Sequence, residues 1–253
     1  ARGKVIITEE LVEGLSELGI HKPTEIQTTV IPLLLGKNTD LVGQAQTGTG
    51  KTAAFGLPLL QKVNPKLKET PALILVPTRE LGQQVQKQLF RFTKYSDNIF
   101  AEAVYGGEKI EKQISRLSRT THIVVATPGR LLDLVRRKIV DLRNVKHVVL
   151  DEADEMLSMG FKSDLDAILT GIKNVKSTWL FSATIPFEIE KIIKKHLSET
   201  AIRIVIDASN IVNEKIEHQY LLGGEAEKLN NLVAFLKSRG AERISGQKQC
   251  PFA

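Results

Sequence analysis

The chain has 253 residues, 42% of them hydrophobic, enough to bury one substantial α/β core with a short extension left over. Lysine and arginine total 35 against 29 acids, a net charge of +6 with a pI near 9.3, which permits a polyanionic partner without demonstrating one. One cysteine excludes a disulfide framework, and five scattered histidines give no transition-metal ligand spacing. With no signal peptide, lipidation motif or 18-residue apolar stretch, a soluble cytoplasmic (or nuclear) protein is expected.

In chain order, two helices are expected at about 8–18 and 24–34, the second opened by Pro23-Thr24. Apolar strands follow near 40–43, 72–76, 99–103, 122–126, 146–151, 178–181 and 202–206, with helices between them. This βαβ rhythm argues a mostly parallel sheet covered by helices on both faces. Gly-Gly pairs at 106–107 and 223–224 punctuate turns. Residues 207–215 are polar and patternless, the best linker candidate, and separate residues 1–206 from an expected strand at 216–222 and amphipathic helix at 227–236. Beyond about residue 242 the chain turns polar, which reads as a sequence scar or altered frame and is set aside from fold reasoning.

Residues Ala45-Gln46-Thr47-Gly48-Thr49-Gly50-Lys51-Thr52 form the most informative segment. A triphosphate is held best by backbone N–H groups; glycines let the chain wrap it, and the next helix points its positive end at it. Leu41-Val42 suits the preceding strand, and Lys51 to Leu60 a following helix stopped near Pro58. In that context Lys51 is expected to reach the β and γ phosphates and the Thr52 hydroxyl to ligate Mg²⁺. The general pattern wants glycine at position 45, where this chain has alanine.

The apolar run Lys146 to Leu150 ends in Asp151-Glu152-Ala153-Asp154. Carboxylates at the C-terminal edge of a parallel strand sit in the crevice where open α/β sheets bind ligands. Asp151 is the candidate for Mg²⁺, directly or through its water, and Glu152 for orienting and deprotonating the attacking water. ATP and Mg²⁺ are the implied cofactors.

With both motifs in view, the chain resembles the DEAD-box RNA helicase family, whose name is spelled by residues 151–154 and which normally carries alanine at the position of Ala45. The resemblance spans about residues 2 to 223 and implies a RecA-like P-loop domain. The segment Gly19 to Gln27, with Lys22, Thr24 and Gln27, is similar to the one that recognises adenine; an amide side chain such as Gln27 offers both donor and acceptors to the base edge. Pro77-Thr78-Arg79, Gly106-Gly107 and Thr127-Pro128-Gly129-Arg130 resemble the RNA-contacting motifs, expected to bind backbone phosphates at strand ends and helix starts with little reading of bases. Ser182-Ala183-Thr184 resembles the element that couples hydrolysis to strand separation, with hydroxyl–carboxylate hydrogen bonds expected to Asp154.

Two positions depart from the family. Arg2 occupies the slot of an aromatic residue that stacks on adenine, and Gly82 stands where alanine is common. The His-Arg-x-Gly-Arg-x-x-Arg pattern of the family's second RecA-like domain is nowhere in the sequence. The chain is therefore expected to be a monomeric fragment that binds ATP and RNA weakly and turns over slowly without its partner domain, because an arginine finger is worth roughly 10³ to 10⁵. The alternative is a nucleotide-gated RNA clamp without unwinding, and a weaker third reading is a DNA translocase.

Overall fold

The computed structural model describes residues 7–36, 38–96 and 99–206. Arg2, the linker at 207–215, the expected elements at 216–236 and the tail lie outside the described residues.

Seven short strands form one parallel sheet: β1 (Leu41–Gln44), β2 (Ala72–Leu75), β3 (Ala101–Val104), β4 (Ile123–Ala126), β5 (His147–Leu150), β6 (Ser177–Ser182) and β7 (Ile202–Val205). Their spatial order is β3-β4-β2-β5-β6-β1-β7. Every position of β2, β4, β5 and β6 is buried and most are apolar, as a sheet covered on both faces requires.

Alternation within each strand feeds two separate cores. Leu41, Ile74, Val125, Val149, Trp179 and Phe181 point to one face, where they meet α1 (Glu9–Glu17), α2 (Glu25–Leu35), α3 (Lys51–Lys62) and α4 (Arg79–Phe92). Val42, Leu73, Leu75, Val124, Val148, Leu150 and Leu180 point to the other. There they pack against α5 (Ile110–Leu117), α6 (Pro128–Arg136), α7 (Ala153–Ser158), α8 (Lys162–Gly171) and α9 (Phe187–His196). Each fully buried Leu, Ile or Phe contributes about 1.5–3 kcal/mol to holding these layers together.

The strand boundaries fall within two residues of those expected. So does α3, expected from Lys51 to Leu60: it keeps Pro58 inside the helix and ends at Lys62. Residues 53–60 are all buried against the sheet and α2, and that burial outweighs the one backbone hydrogen bond a proline removes.

Register brings the strand ends to one level. Leu75 lies opposite both Ala126 and Leu150, Val104 opposite Ala126, and Leu150 opposite Leu180. Gln44 lies opposite Ser182. The segments that follow β1, β2, β3, β4, β5 and β6 therefore emerge along a single upper rim. Among the described residues no helix is long and apolar enough to cross a membrane.

Candidate nucleotide and RNA site

The phosphate loop leaves β1 and enters α3 through two left-handed glycines, Gly48 (φ 79°) and Gly50 (φ 92°). A side chain at Gly50 would in addition bring its Cβ within 2.5 Å of the Gln27 amide nitrogen. Glycine is thus demanded here by both conformation and space. Lys51, the first residue of α3, is buried, and its Nζ donates to the Ala45 carbonyl at 3.1 Å across the loop. An ammonium held over the loop by one carbonyl is ready to exchange that partner for phosphate oxygens.

Asp151 follows β5 immediately and is 2% exposed. Its Oδ1 has no hydrogen-bond partner, although buried polar atoms are nearly always satisfied. Burial pushes its carboxyl up to about 6, against a smaller downward pull from Lys51. Glu152 caps α7 in the left-handed region (φ 53°, ψ 51°), costly for a residue with a side chain and the kind of strain kept at working sites. Desolvation first, then a shared hydrogen bond with Glu155 and the Asp151 charge, push Glu152 up to about 7.

Asp154 is handled oppositely. Burial alone would raise its carboxyl, but the Thr184 and Ser182 hydroxyls and the Thr184 N–H hold it below the ordinary range. Thr184 donates twice to Asp154 Oδ2, from Oγ1 at 2.7 Å and from its backbone at 2.9 Å. Ser182 Oγ also accepts from the Asp154 N–H at 3.1 Å, a backbone link beside its pull on the carboxylate.

Thr47, Gly48, Gly50, Lys51, Thr52, Asp151 and Glu152 line one cleft of about 460 Å³ together with Gln27. Ala45 lies buried beneath the loop, and Thr24 and Thr49 stand behind it, joined by a 2.9 Å bond from the Thr24 hydroxyl to the Thr49 carbonyl. Lys22 and Gln46 are exposed and do not line the cleft. Gln27 is less free than an adenine-reading amide was expected to be: its oxygen accepts from the Thr24 N–H at 3.0 Å and its nitrogen donates to the Gly50 carbonyl at 3.1 Å. The far wall consists of Leu18, Ile20, Gln84, Gln88, Arg91 and Phe92. Sequence reading passed over five of them, Ile20 alone lying in the Gly19 to Gln27 segment, although residues 84, 88 and 91 recur on one face of α4 at helical spacing.

The remaining motif residues emerge farther along the same rim, after β2, β4 and β3. Thr78 caps α4 by accepting from the Leu81 N–H at 3.2 Å. Arg79 lies over the Tyr105 ring at 4.9 Å. Gly106 and Gly107 turn out of β3 with open space around them, Gly107 at φ 83°. Pro77, Thr127 and Pro128 are buried, Pro128 opening α6, and Gly129 is exposed. Arg130 donates two N–H groups to the Glu108 carbonyl at 3.2 and 3.1 Å, so part of its guanidinium is committed inside the protein.

A glycine-wrapped loop at a helix start, facing a buried acid at the end of a parallel strand two places along the sheet, defines the class of P-loop α/β proteins. A family model described as DEAD/DEAH box helicase matches residues 24–192. The chain is 42% identical over 230 residues to the DEAD-box ATP-dependent RNA helicase CshA of Streptococcus pneumoniae, covering 91% of this chain and 43% of that protein. The CshA of Bacillus subtilis is 39% identical over 236 residues, covering 93% and 47%. A solved DEAD box protein from Methanococcus jannaschii superposes with a TM-score of 0.76 at 40% identity, covering 92% of this chain and 62% of that one. A hypothetical ATP-dependent RNA helicase from Sulfolobus tokodaii gives 0.72 at 40% identity, covering 79% and 57%.

This chain belongs to the DEAD/DEAH box helicase family, and its sheet is the RecA-like one of those structures. It spans under half the length of the curated relatives it matches.

Proposed function

We propose that the chain is the nucleotide-binding part of an ATP-dependent RNA helicase that couples ATP hydrolysis to local separation of RNA strands. Residues 1–206 form the ATP-binding domain in this reading, 207–215 a linker, and the chain from 216 the start of a second RecA-like domain. The observation that carries the reading is the common cleft of Lys51, Thr52, Asp151 and Glu152.

In that cleft the N–H groups of residues 48–52 cradle the triphosphate, and Lys51 exchanges the Ala45 carbonyl for phosphate oxygens. Thr52 and Asp151 fit a Mg²⁺ site, because a buried carboxylate oxygen without a partner asks for a cation and Mg²⁺ takes few protein ligands beside water and phosphate. Bound there, Mg²⁺ neutralises charge on the phosphates during transfer. Glu152, raised to about 7, is poised near neutrality to orient a water and accept its proton. Thr78, Arg79, Gly106, Gly107, Thr127 and Arg130 offer an RNA backbone a run of hydroxyls, open turns and guanidinium groups along the rim. Asp154, tied to Ser182 and Thr184, joins the acidic segment to the end of β6.

Nucleotide binding and turnover by Lys51→Ala and Glu152→Gln test this reading. Lys51→Ala is expected to lose ATP binding; Glu152→Gln is expected to keep it and lose roughly 10²- to 10⁴-fold in hydrolysis. Full turnover in Glu152→Gln would remove the assigned base. The 253-residue chain alone is expected to turn over roughly 10³- to 10⁵-fold below a two-domain enzyme.

A further inference from the structure

The rim opposite the cleft carries an excess of cations. Lys62 closes α3, Lys68 lies in the loop entering β2, Arg119 in the loop entering β4, Lys146 immediately before β5, and Lys173 and Lys176 in the loop entering β6. β4, β2, β5 and β6 are successive neighbours in the sheet, so these loops sit side by side across about 14 Å. The Lys176 N–H donates to the Lys146 carbonyl at 2.7 Å, which fixes two of the lysines next to each other.

Apart from Glu199 in the loop entering β7, the carboxylates beside these cations are already occupied among the described residues. Glu69 lies 3.8 Å from Lys146, Asp141 pairs with Arg143 at 2.6 Å, and Asp40 accepts the N–H groups of Thr178 and Ser198. Among the described residues Lys62, Lys68, Arg119, Lys173 and Lys176 make no ion pair. Lys68 and Arg119 line a cleft of about 370 Å³ whose acids are the paired Glu69 and Asp141. Of these cations only Lys62 sits in a last helical turn, where the dipole alone would favour it. The crowding is felt inside the protein: burial, then Lys62, Lys176 and Lys146, push the His147 imidazole down to about 4.

We propose that this lower rim is a second surface for an RNA sugar-phosphate backbone, separate from the ATP rim and contacting it without reading bases. The inference rests on RNA being the partner, as proposed above, but not on the upper-rim motifs. Lysines and arginines that outnumber the carboxylates beside them, and make no ion pair with those, are what backbone neutralisation and counterion release require.

The test is fluorescence anisotropy of labelled single-stranded RNA on the 253-residue chain between 50 and 200 mM salt. The variants are Lys62→Gln with Lys176→Gln, and Lys68→Gln with Arg119→Gln, checked for folding by thermal melting. Each lost phosphate contact lowers the slope of log affinity against log salt by about 0.7, so either double variant should lose about 1.4 in slope and roughly tenfold in affinity. ATP affinity should not change. A wild-type slope in both variants overturns the proposal. Arg79→Ala reads the upper rim separately: loss there with none at the lower rim sinks this inference alone, whereas the reverse keeps it and sinks the upper-rim reading. Variant-sensitive binding to anionic lipid vesicles with an unchanged RNA slope would also overturn it, in favour of a membrane surface.

Discussion

The Gln27 side chain joins two parts of the cleft that sequence presents as separate: its nitrogen donates to the Gly50 carbonyl at 3.1 Å while its oxygen accepts the Thr24 N–H at 3.0 Å. One amide therefore forms the glutamine half of a capping box on α2 and steadies the last glycine of the phosphate loop. A base edge read by Gln27, the role the family resemblance implies, would compete for the same donor, so that occupancy of the base end of the cleft would be felt at its phosphate end.

Gln27→Ala removes both bonds. The lost cap is expected to cost about 1 kcal/mol, a fall of about 2–4 °C in melting temperature. ATP affinity should fall roughly tenfold, about 1.4 kcal/mol, because the loop loses its brace. Titration with a fluorescent ATP analogue checks this; unchanged affinity would mean that the brace is idle.

Asp151 and Glu152 give the nucleotide-free protein a definite pH dependence. Both folded-state values, about 6 and about 7, lie above the ordinary carboxylate range. Their contribution is thus fully present only below the ordinary carboxylate range, at about pH 3, where both states hold the proton, and is lost as pH rises through about 6 to 7, where burial penalises the charge. Asp151→Asn removes that penalty. Its melting temperature should exceed that of the wild type at pH 8 and match it at about pH 3, while hydrolysis is lost. A gap that does not vary with pH would show that Asp151 ionises without cost.

Asp154 runs the other way. Its depressed carboxyl adds stability above the ordinary carboxylate range and loses it as pH falls through the lower folded value. Thr184→Val deletes the 2.7 Å hydroxyl donor. The variant should be less stable than the wild type at pH 7, and the difference should close below about pH 4. Acid melting curves of the two proteins decide it; parallel curves across that range would exclude the hydroxyl as the cause.

How much of this was legible in the sequence follows from the range of the forces involved. The central strands were visible because both faces of the sheet are covered there, which favours short apolar runs such as Val148 to Leu150. The phosphate loop and the acidic strand end were visible because glycine conformation, helix starts and strand-end carboxylates are local chemistry. The far wall of the cleft was not, since Leu18 and Gln88 meet there only through packing of α1 against α4. The last two residues of α3, beyond the expected Leu60, depend on packing as well, because burial carries the helix through Pro58. Nor did spacing reveal that Gln27 and Arg130, chosen for their donors, spend part of them on the Gly50 and Glu108 carbonyls.

Gly43, the residue in β1 two before the phosphate loop, offers a last test of how tightly the core positions the site. A Cβ there would fall 2.8 and 2.9 Å from two ring carbons of Phe181. That ring is fully buried and lies 5.5 Å from the Phe55 ring across the sheet–helix interface, so it has little room to turn aside. Gly43→Ala should therefore cost about 1–3 kcal/mol despite adding one methyl group, by forcing β1 away from β6. The same displacement moves Lys51 relative to Asp151, so hydrolysis should fall more than ATP binding. Pairing Gly43→Ala with Phe181→Leu, which removes the ring, should recover part of both losses. Stability and turnover of the single and double variants measure this, and a fully additive double variant would show that the ring does not transmit the strain.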